Sequence, residues 1–396
     1  MTSSGSSSSK ALALGLFAAA VLGGCRGARP AAVTAPAPLL VLYPVLNLNG
    51  GPAPSKELTA ALRATLEKQG LPLVPDIAVM KALASRRLRY TGAVDREAAT
   101  VLREQTGATG IIVPTLELYS ALPPYRFALT MRLVTTDPEP EIRWLDAYAG
   151  TGKDHPGLLG AGILGSMERV RDRAFEQLAA SLAASLRAPV PRAPCGDGGA
   201  IRPSRSYSAP FLSDAARRTV AVLPFVNDTQ RRDAGEIAAL RFLGPLIASG
   251  TVRVLEPGVV RQELLTYRFG ATGGIGLDDA RALLELLSAD LVLSGTVRTF
   301  ADASGTTGAP SVALGVYVLD RQTAELAWSS TSNATGEDGV YFFGVGRVST
   351  ASALTCRMAR GVVDAMLGDR PKLPDSGPLP AKPARGTMAR AANEIP

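Results

Sequence analysis

Histidine is almost missing from this chain: His155 is the only one in 396 residues. One imidazole cannot supply a zinc site of the usual His/Cys kind, and it leaves a single candidate for a Ser-His-Asp arrangement. His155 stands in a glycine-rich stretch and reads as a loop residue. No Gly-x-Ser-x-Gly elbow surrounds any serine. Cysteine is nearly as scarce, with Cys25, Cys195 and Cys356. An oxidising compartment would permit a bridge between the last two, but the sequence leaves open whether they approach within the required ~4.4–6.8 Å between Cα atoms. Aromatic residues make up 5%. The net charge of +7 is scattered in small clusters such as Arg86-Arg87 and Arg231-Arg232. Nucleic-acid binding would want a denser basic stripe interleaved with aromatics, so no nucleic-acid partner is expected. After residue 24, no apolar run approaches the ~20 residues that cross a bilayer as a helix.

Two glycine-rich stretches invite a nucleotide reading and do not sustain it. Gly150-Thr-Gly-Lys153-Asp154 lacks the earlier glycine of a phosphate loop and has Asp154 where Ser or Thr is needed. Gly160-Ala-Gly162-Ile-Leu-Gly165 fits the dinucleotide pattern literally but follows a hairpin rather than the first strand of a βαβ unit. Both read as tight turns, and no cofactor or metal is implied. The expectation is a chain that is not an enzyme.

What is present begins at the amino terminus. A polar stretch ending in Lys10 precedes an uncharged apolar run, Ala11 to Val21, and then Leu22-Gly23-Gly24-Cys25. A charged start, a short apolar core and small residues before a cut are the three parts of a secretory signal. A leucine and two glycines before a cysteine resemble the lipobox of bacterial lipoproteins. That resemblance implies cleavage between Gly24 and Cys25 and a diacylglyceryl group on the Cys25 thiol. The competing reading is a plain secretory signal with an unrelated cysteine. By resemblance to enterobacterial sorting rules, Arg26 in place of aspartate favours the outer membrane, on its periplasmic side. Several acyl chains at ~0.8 kcal/mol per buried methylene would make a stable anchor.

The chain also repeats itself. Residues 141–166 lie against 325–350 without a gap, pairing Glu141 with Glu325, Trp144 with Trp328, Thr151-Gly152 with Thr335-Gly336, and Asp154 with Asp338. Gly160 and Gly162 fall on Gly344 and Gly346. Upstream, Leu40-Val-Leu-Tyr-Pro-Val-Leu-Asn47 matches Val220-Ala-Val-Leu-Pro-Phe-Val-Asn227, and Leu73-Val-Pro75 matches Val254-Leu-Glu-Pro257. A period of roughly 180 residues is far longer than a solenoid repeat and marks a duplicated domain.

Each copy reads in one order. A buried strand (39–46, 219–226) leads to a helix (55–69, 233–249), capped by Ser55 in the first copy and by an Asp233/Glu236 box in the second. Pro245 should kink the second of these. A short strand (71–75, 251–256) and two helices follow, the later ones capped by Asp95 and Asp278. A third strand (109–119, 290–300), a hairpin (126–135 with 141–150, 311–319 with 324–332) and a closing amphipathic helix (165–187, 348–367) complete the unit. Trp144 and Trp328 are expected in the core of the hairpin face. The predicted class is α/β, two tandem copies of a mixed sheet with helices packed on it. The boundaries are a signal peptide at 1–24, a lipidated tether at 25–38, a first domain at 39–187, a Pro/Gly/Ser-rich linker at 188–216, a second domain at 217–367, and a Pro-rich tail at 368–396 that composition marks as disordered.

The opening strand Val220-Ala-Val-Leu-Pro-Phe-Val-Asn227 is similar to that of the periplasmic domains of curli-secretion-channel lipoproteins, whose fold is related to penicillin-binding-protein activator lipoproteins and the amino-terminal Tol domain. The resemblance covers about 219–367 by element order, and the first copy only through the repeat. It implies a non-enzymatic lipoprotein that contacts other envelope proteins or cell-wall polymer, as an assembly or activator factor. The alternative is a subunit of an oligomeric export apparatus, and homo-oligomerisation stays open. A pore would need long alternating strands, and no additional pair is found. The two glycine loops carry apolar residues, Leu158 and Leu159 in one copy and Phe342 and Phe343 in the other. They either form a partner contact or fold under the sheet.

Overall fold

The structure, a computed structural model, describes residues 38–90, 92–154, 162–188, 198–210, 218–268, 277–303, 308–340 and 346–368. It is a mixed α/β protein with two sheets. The opening strand of the first copy is broken in two, β1 (Leu40–Leu42) and β2 (Leu46–Asn47). Both run parallel to β3 (Gly110–Ser120). The break falls at Pro44, which has no N–H to give to a ladder. The second copy breaks at the matching Pro224, leaving β7 (Thr219–Val222) and β8 (Val226–Asn227) beside β10 (Leu291–Ala301). Two antiparallel strands complete each sheet: β4 (Arg126–Thr135) and β5 (Ile142–Thr151), then β11 (Ser311–Asp320) and β12 (Leu326–Thr335).

Three helices connect the opening strand to β3: α1 (Ser55–Lys68), α2 (Asp76–Ser85) and α3 (Arg96–Thr106). A fourth, α4 (Met167–Arg187), closes the copy. Their counterparts are α5 (Ala234–Ser249), α6 (Pro257–Thr266), α7 (Leu277–Leu287) and α8 (Ala351–Leu367). In the first copy α1 and α4 bury Leu58, Leu62, Phe175 and Leu178 against one sheet face, where Trp144 sits, while α2 and α3 cover part of the other. In the second, α5 and α8 pack on the face that holds Trp328, and α6 and α7 on its reverse. Both tryptophans are core residues, as expected.

The two copies differ in how much of each helix is covered. Along α1 only Leu58, Leu62 and Leu66 are buried, the narrow stripe of a helix with one face in water. Along α5 the buried set runs from Ala234 to Leu246, with only Glu236 and Leu240 outside it. The reason is that α5 and α8 lie between two sheets: Leu48 and Leu145 of the first copy belong to the same hydrophobic cluster as Phe242, Leu354 and Met358 of the second. The strands agree. Both faces of β4 are buried, whereas Ser311, Ala313, Gly315 and Tyr317 of β11 are half-buried and Thr331, Asn333 and Thr335 of β12 are exposed. The copies therefore stack head to tail, and Ala37–Pro396 is one contact unit.

Several local expectations are corrected. Ser55 is not a cap; Pro54 holds that place and no side chain caps α1. Asp233 precedes α5 in the left-handed region at φ 60° and makes no capping bond. Asp95 does cap α3, accepting from the Ala98 N–H at 2.7 Å. Helix α7 already begins at Leu277, so Asp278 stands inside its first turn. Residues 71–75 form only an isolated bridge, Leu40 with Leu73, while the second copy has a two-residue strand β9 (Arg253–Val254). The helix α5 continues through Pro245.

The segment read as a linker is also more than that. Its residues Arg205–Ser208 form β6, which adds to the edge of β12. Before it, Gly198 and Gly199 accept hydrogen bonds from Arg360 and Arg357 of α8. A Cβ on Gly361 would sit 1.9 Å from the Ile201 carbonyl oxygen, so only glycine lets the backbones approach this closely. Composition marked the stretch as a loop; an open edge on β12 and a glycine on α8 give it somewhere to bind. Cys356 in α8 is disulfide-bonded.

Candidate functional site

Cys25, Gly24, His155, Cys195, Leu158, Leu159, Phe342 and Phe343 lie outside the described residues. The bases of the two apolar loops do not. At the end of β5 the Asp154 carboxylate accepts from the Thr151 N–H at 2.6 Å and the Thr151 hydroxyl at 2.7 Å. At the end of β12, Asp338 accepts from Thr335 in the same way, at 2.7 and 2.9 Å. The repeated Thr-Gly-x-Asp is thus a turn closed on its own carboxylate, not a phosphate cradle.

Its glycine has an equally local reason. Leu164 donates its N–H to the Gly152 carbonyl at 2.8 Å, and Val348 to that of Gly336 at 2.9 Å. A Cβ would stand 2.4 Å from Leu164 O or 2.2 Å from Val348 O. Gly336→Ala is expected to cost about 1–3 kcal/mol through forced backbone displacement, read by urea denaturation. Gly165→Ala, where nothing lies within 4 Å, is the control and should be near neutral.

The two loop bases meet: the Ser349 hydroxyl donates to Asp154 at 2.5 Å. Described residues flanking 155–161 and 341–345, the segments that carry Leu158/Leu159 and Phe342/Phe343, therefore adjoin. Ile163, next to the first of them, is 46% exposed.

The junction between the copies holds the charges that sequence reading passed over. Arg132 on β4 is 1% exposed and Glu256, just before α6, is 0% exposed. Nη2 of Arg132 donates to Glu256 Oε1 at 2.9 Å and to the Gly92 carbonyl at 2.9 Å, and Nε lies 3.2 Å from Oε2. The Val94 N–H adds a bond to the same carboxylate at 3.2 Å. A second buried pair joins Glu117 of β3 to Arg241 of α5, with Nε donating at 2.8 Å. Arg231 reaches across from the second copy to the carbonyls of Leu48 and Glu117, at 3.1 and 2.6 Å. At the rim, Arg96 pairs with Glu263 at 3.0 Å and Arg253 with Glu141 at 2.8 Å.

Sequence signals for these residues exist in hindsight. Glu117 interrupts an apolar strand at a bulge, where pairing with β4 steps from Leu116 to Leu118. The second copy has the same bulge around Arg298, which is exposed. Glu256 is the one residue between Leu255 and Pro257 with no counterpart between Val74 and Pro75. An inserted carboxylate and a lone charge in an apolar strand both asked for a partner.

Between the copies, beside the Arg132–Glu256 pair, is a cavity of about 250 Å³. Leu46, Leu48 and Gly92 contribute to it from the first copy, and α5 and α6 from the second. Among the described residues, no cluster of His, Cys, Asp or Glu could hold a metal, and no helix is long and apolar enough to cross a membrane.

No family model and no curated protein matches the chain. Among solved structures it is similar over part of its length to the PelC dodecamer from Paraburkholderia phytofirmans, at 22% identity and a TM-score of 0.30, covering 42% of this chain and 97% of that one. It is also similar to lipoprotein GNA1162 from Neisseria meningitidis, at 14% identity and a TM-score of 0.25, covering 30% and 82%. The LpoB C-terminal domain from Escherichia coli matches at 21% identity and a TM-score of 0.22, covering 30% and 84%.

Proposed function

We propose that this chain is a non-enzymatic outer-membrane lipoprotein that recruits an envelope partner, as an assembly or activator factor. Lipid on Cys25 would hold it at the membrane, and residues 26–38 would serve as the tether. The partner would be met by the loops carrying Leu158/Leu159 and Phe342/Phe343. The observation that carries this reading is the Ser349–Asp154 bond. It ties the roots of the two loops together, so that two apolar segments can act as one contact rather than two. Linking two contacts in one body raises the effective concentration of the second.

The test is in-cell crosslinking of the lipidated protein, followed by mass spectrometry. A defined envelope protein should be captured, and lost when Leu158/Leu159 or Phe342/Phe343 are changed to serine. Products containing only this chain would instead support a homo-oligomeric assembly. Capture unchanged by the loop substitutions would remove the loops from the account.

A further inference from the structure

Helix α2 starts beside the point where the chain enters the fold. Leu40, which opens β1, donates its N–H to the Pro72 carbonyl at 3.0 Å and accepts from the Val74 N–H at 2.8 Å, and α2 follows from Asp76. Leu39 shares a hydrophobic cluster with Ala78, Val79, Ala82 and Leu83, the inner face of α2. The outer face, at positions 77, 80, 81 and 84, is in water. Ile77 is 72% exposed and Met80 63%, with Lys81 exposed beside them. Past the helix end, Arg86, Arg87 and Arg89 are exposed as well, around a Leu88 that packs inward.

Single apolar residues on a surface need no explanation, and neither does a short run of cations. Here the two coincide. Apolar side chains flanked by Lys and Arg are the composition of a helix that lies in the headgroup layer of an anionic membrane. Nearby acids do not cancel the charge: Asp76 is paired with Arg63, and α3, packed against α2, sets the exposed Glu97 and Glu104 against four cations. Position supplies the rest. Residues 26–37, at ~3.3–3.6 Å each, hold this end of the fold within about 40 Å of a lipid on Cys25. The outer face of α2 is about one helix diameter, ~10 Å, from where they join. We infer that α2 and the turn after it rest on anionic phospholipid headgroups beside the anchor, Ile77 and Met80 toward the acyl boundary and Lys81, Arg86, Arg87 and Arg89 on the phosphates. For its orientation this rests on the lipid-anchor reading.

The mature chain without its lipid should be sedimented with vesicles of phosphatidylglycerol and phosphatidylcholine in equal parts, and with vesicles of phosphatidylcholine alone. It is expected to bind the anionic vesicles about tenfold more tightly or better, and to come off at about 1 M salt, where screening confines charge attraction to ~3 Å. Arg86→Ser with Arg87→Ser should weaken binding about thirtyfold, at roughly fivefold per cation on an anionic surface. Ile77→Ser with Met80→Ser should weaken it by about threefold or more. Arg169→Ser with Arg173→Ser removes the same charge from α4, on the opposite face of the sheet, and should leave binding within about twofold. All of these side chains are exposed, so thermal unfolding by circular dichroism should not change. No binding to anionic vesicles overturns the inference, as does equal binding to neutral ones or binding unchanged by the α2 substitutions. An equal loss in the α4 variant overturns it as well, since the attraction would then belong to the net charge of the molecule. The chain tested carries no lipid and meets no protein partner, so failure here would leave the anchor and the recruitment reading untouched.

Discussion

Glu256→Ala is expected to destabilise the protein by about 3–5 kcal/mol, the cost of leaving one member of a buried pair uncompensated. Arg132 would keep its charge at 1% exposure with only the Gly92 carbonyl as partner, and the Val94 N–H would lose its acceptor. Against a typical total of 5–15 kcal/mol this is a large share, and urea denaturation would read it as a drop in midpoint. The paired replacement Arg132→Met with Glu256→Leu should recover most of the loss, since removing both charges also removes the desolvation penalty. With Arg132→Met and Glu256→Leu also measured singly, the completed cycle gives the coupling between the two charges. A single variant within 1 kcal/mol of the parent would mean that water reaches the junction.

The second large effect concerns the anchor. With Cys25→Ser, incorporation of labelled palmitate should fall to background, and the uncut chain with residues 1–24 attached should accumulate. The thiol is the only group at that place able to take the diacylglyceryl unit, and a serine hydroxyl is a far weaker nucleophile than a thiolate. Mass spectrometry of the amino-terminal peptide would report both outcomes. Unchanged label with normal cleavage would point to a plain secretory signal and a lipid, if any, elsewhere.

Much of the fold was legible because it rests on periodicity and punctuation. The strands β3, β4, β10 and β11 fall close to where apolar runs place them. The closing helices α4 and α8 start at Ser166 and Thr350, whose side chains cap Arg169 N and Ala353 N. Local chemistry misled where tertiary contact overrode it. Ser55 and Asp233 are good capping residues that do not cap, and a Pro/Gly/Ser-rich stretch became a strand because β12 offered an unpaired edge. The packing of one copy against the other was present in the sequence as the all-round apolarity of α5. That signal says a helix is covered on every side, but not by what. The inserted Glu256 and the lone Glu117 are visible in the sequence as charges wanting partners, but which residues pair with them is not, since Arg132 and Glu256 meet only when the two copies stack.

That stacking has a direction. The contact is heterologous: the sheet of one copy receives the helices of the next, and a heterologous contact propagates unless something stops it. Here the two ends are unlike. At one end the outer flank of α1 and α4 exposes Lys56, Glu57, Glu168, Arg169, Asp172 and Arg173, charges that water solvates and a dry interface would strip. At the other, the outer face of β11 and β12 carries Ser311, Ala313, Gly315 and Tyr317, half-buried, beside the exposed Thr331, Asn333 and Thr335. A second molecule joining by the same contact would have to press the charged flank onto the open face, against the desolvation of six ionised groups. Duplication inside the chain thus gives the contact one repeat, and the charged flank of α1 and α4 disfavours its extension to a second molecule.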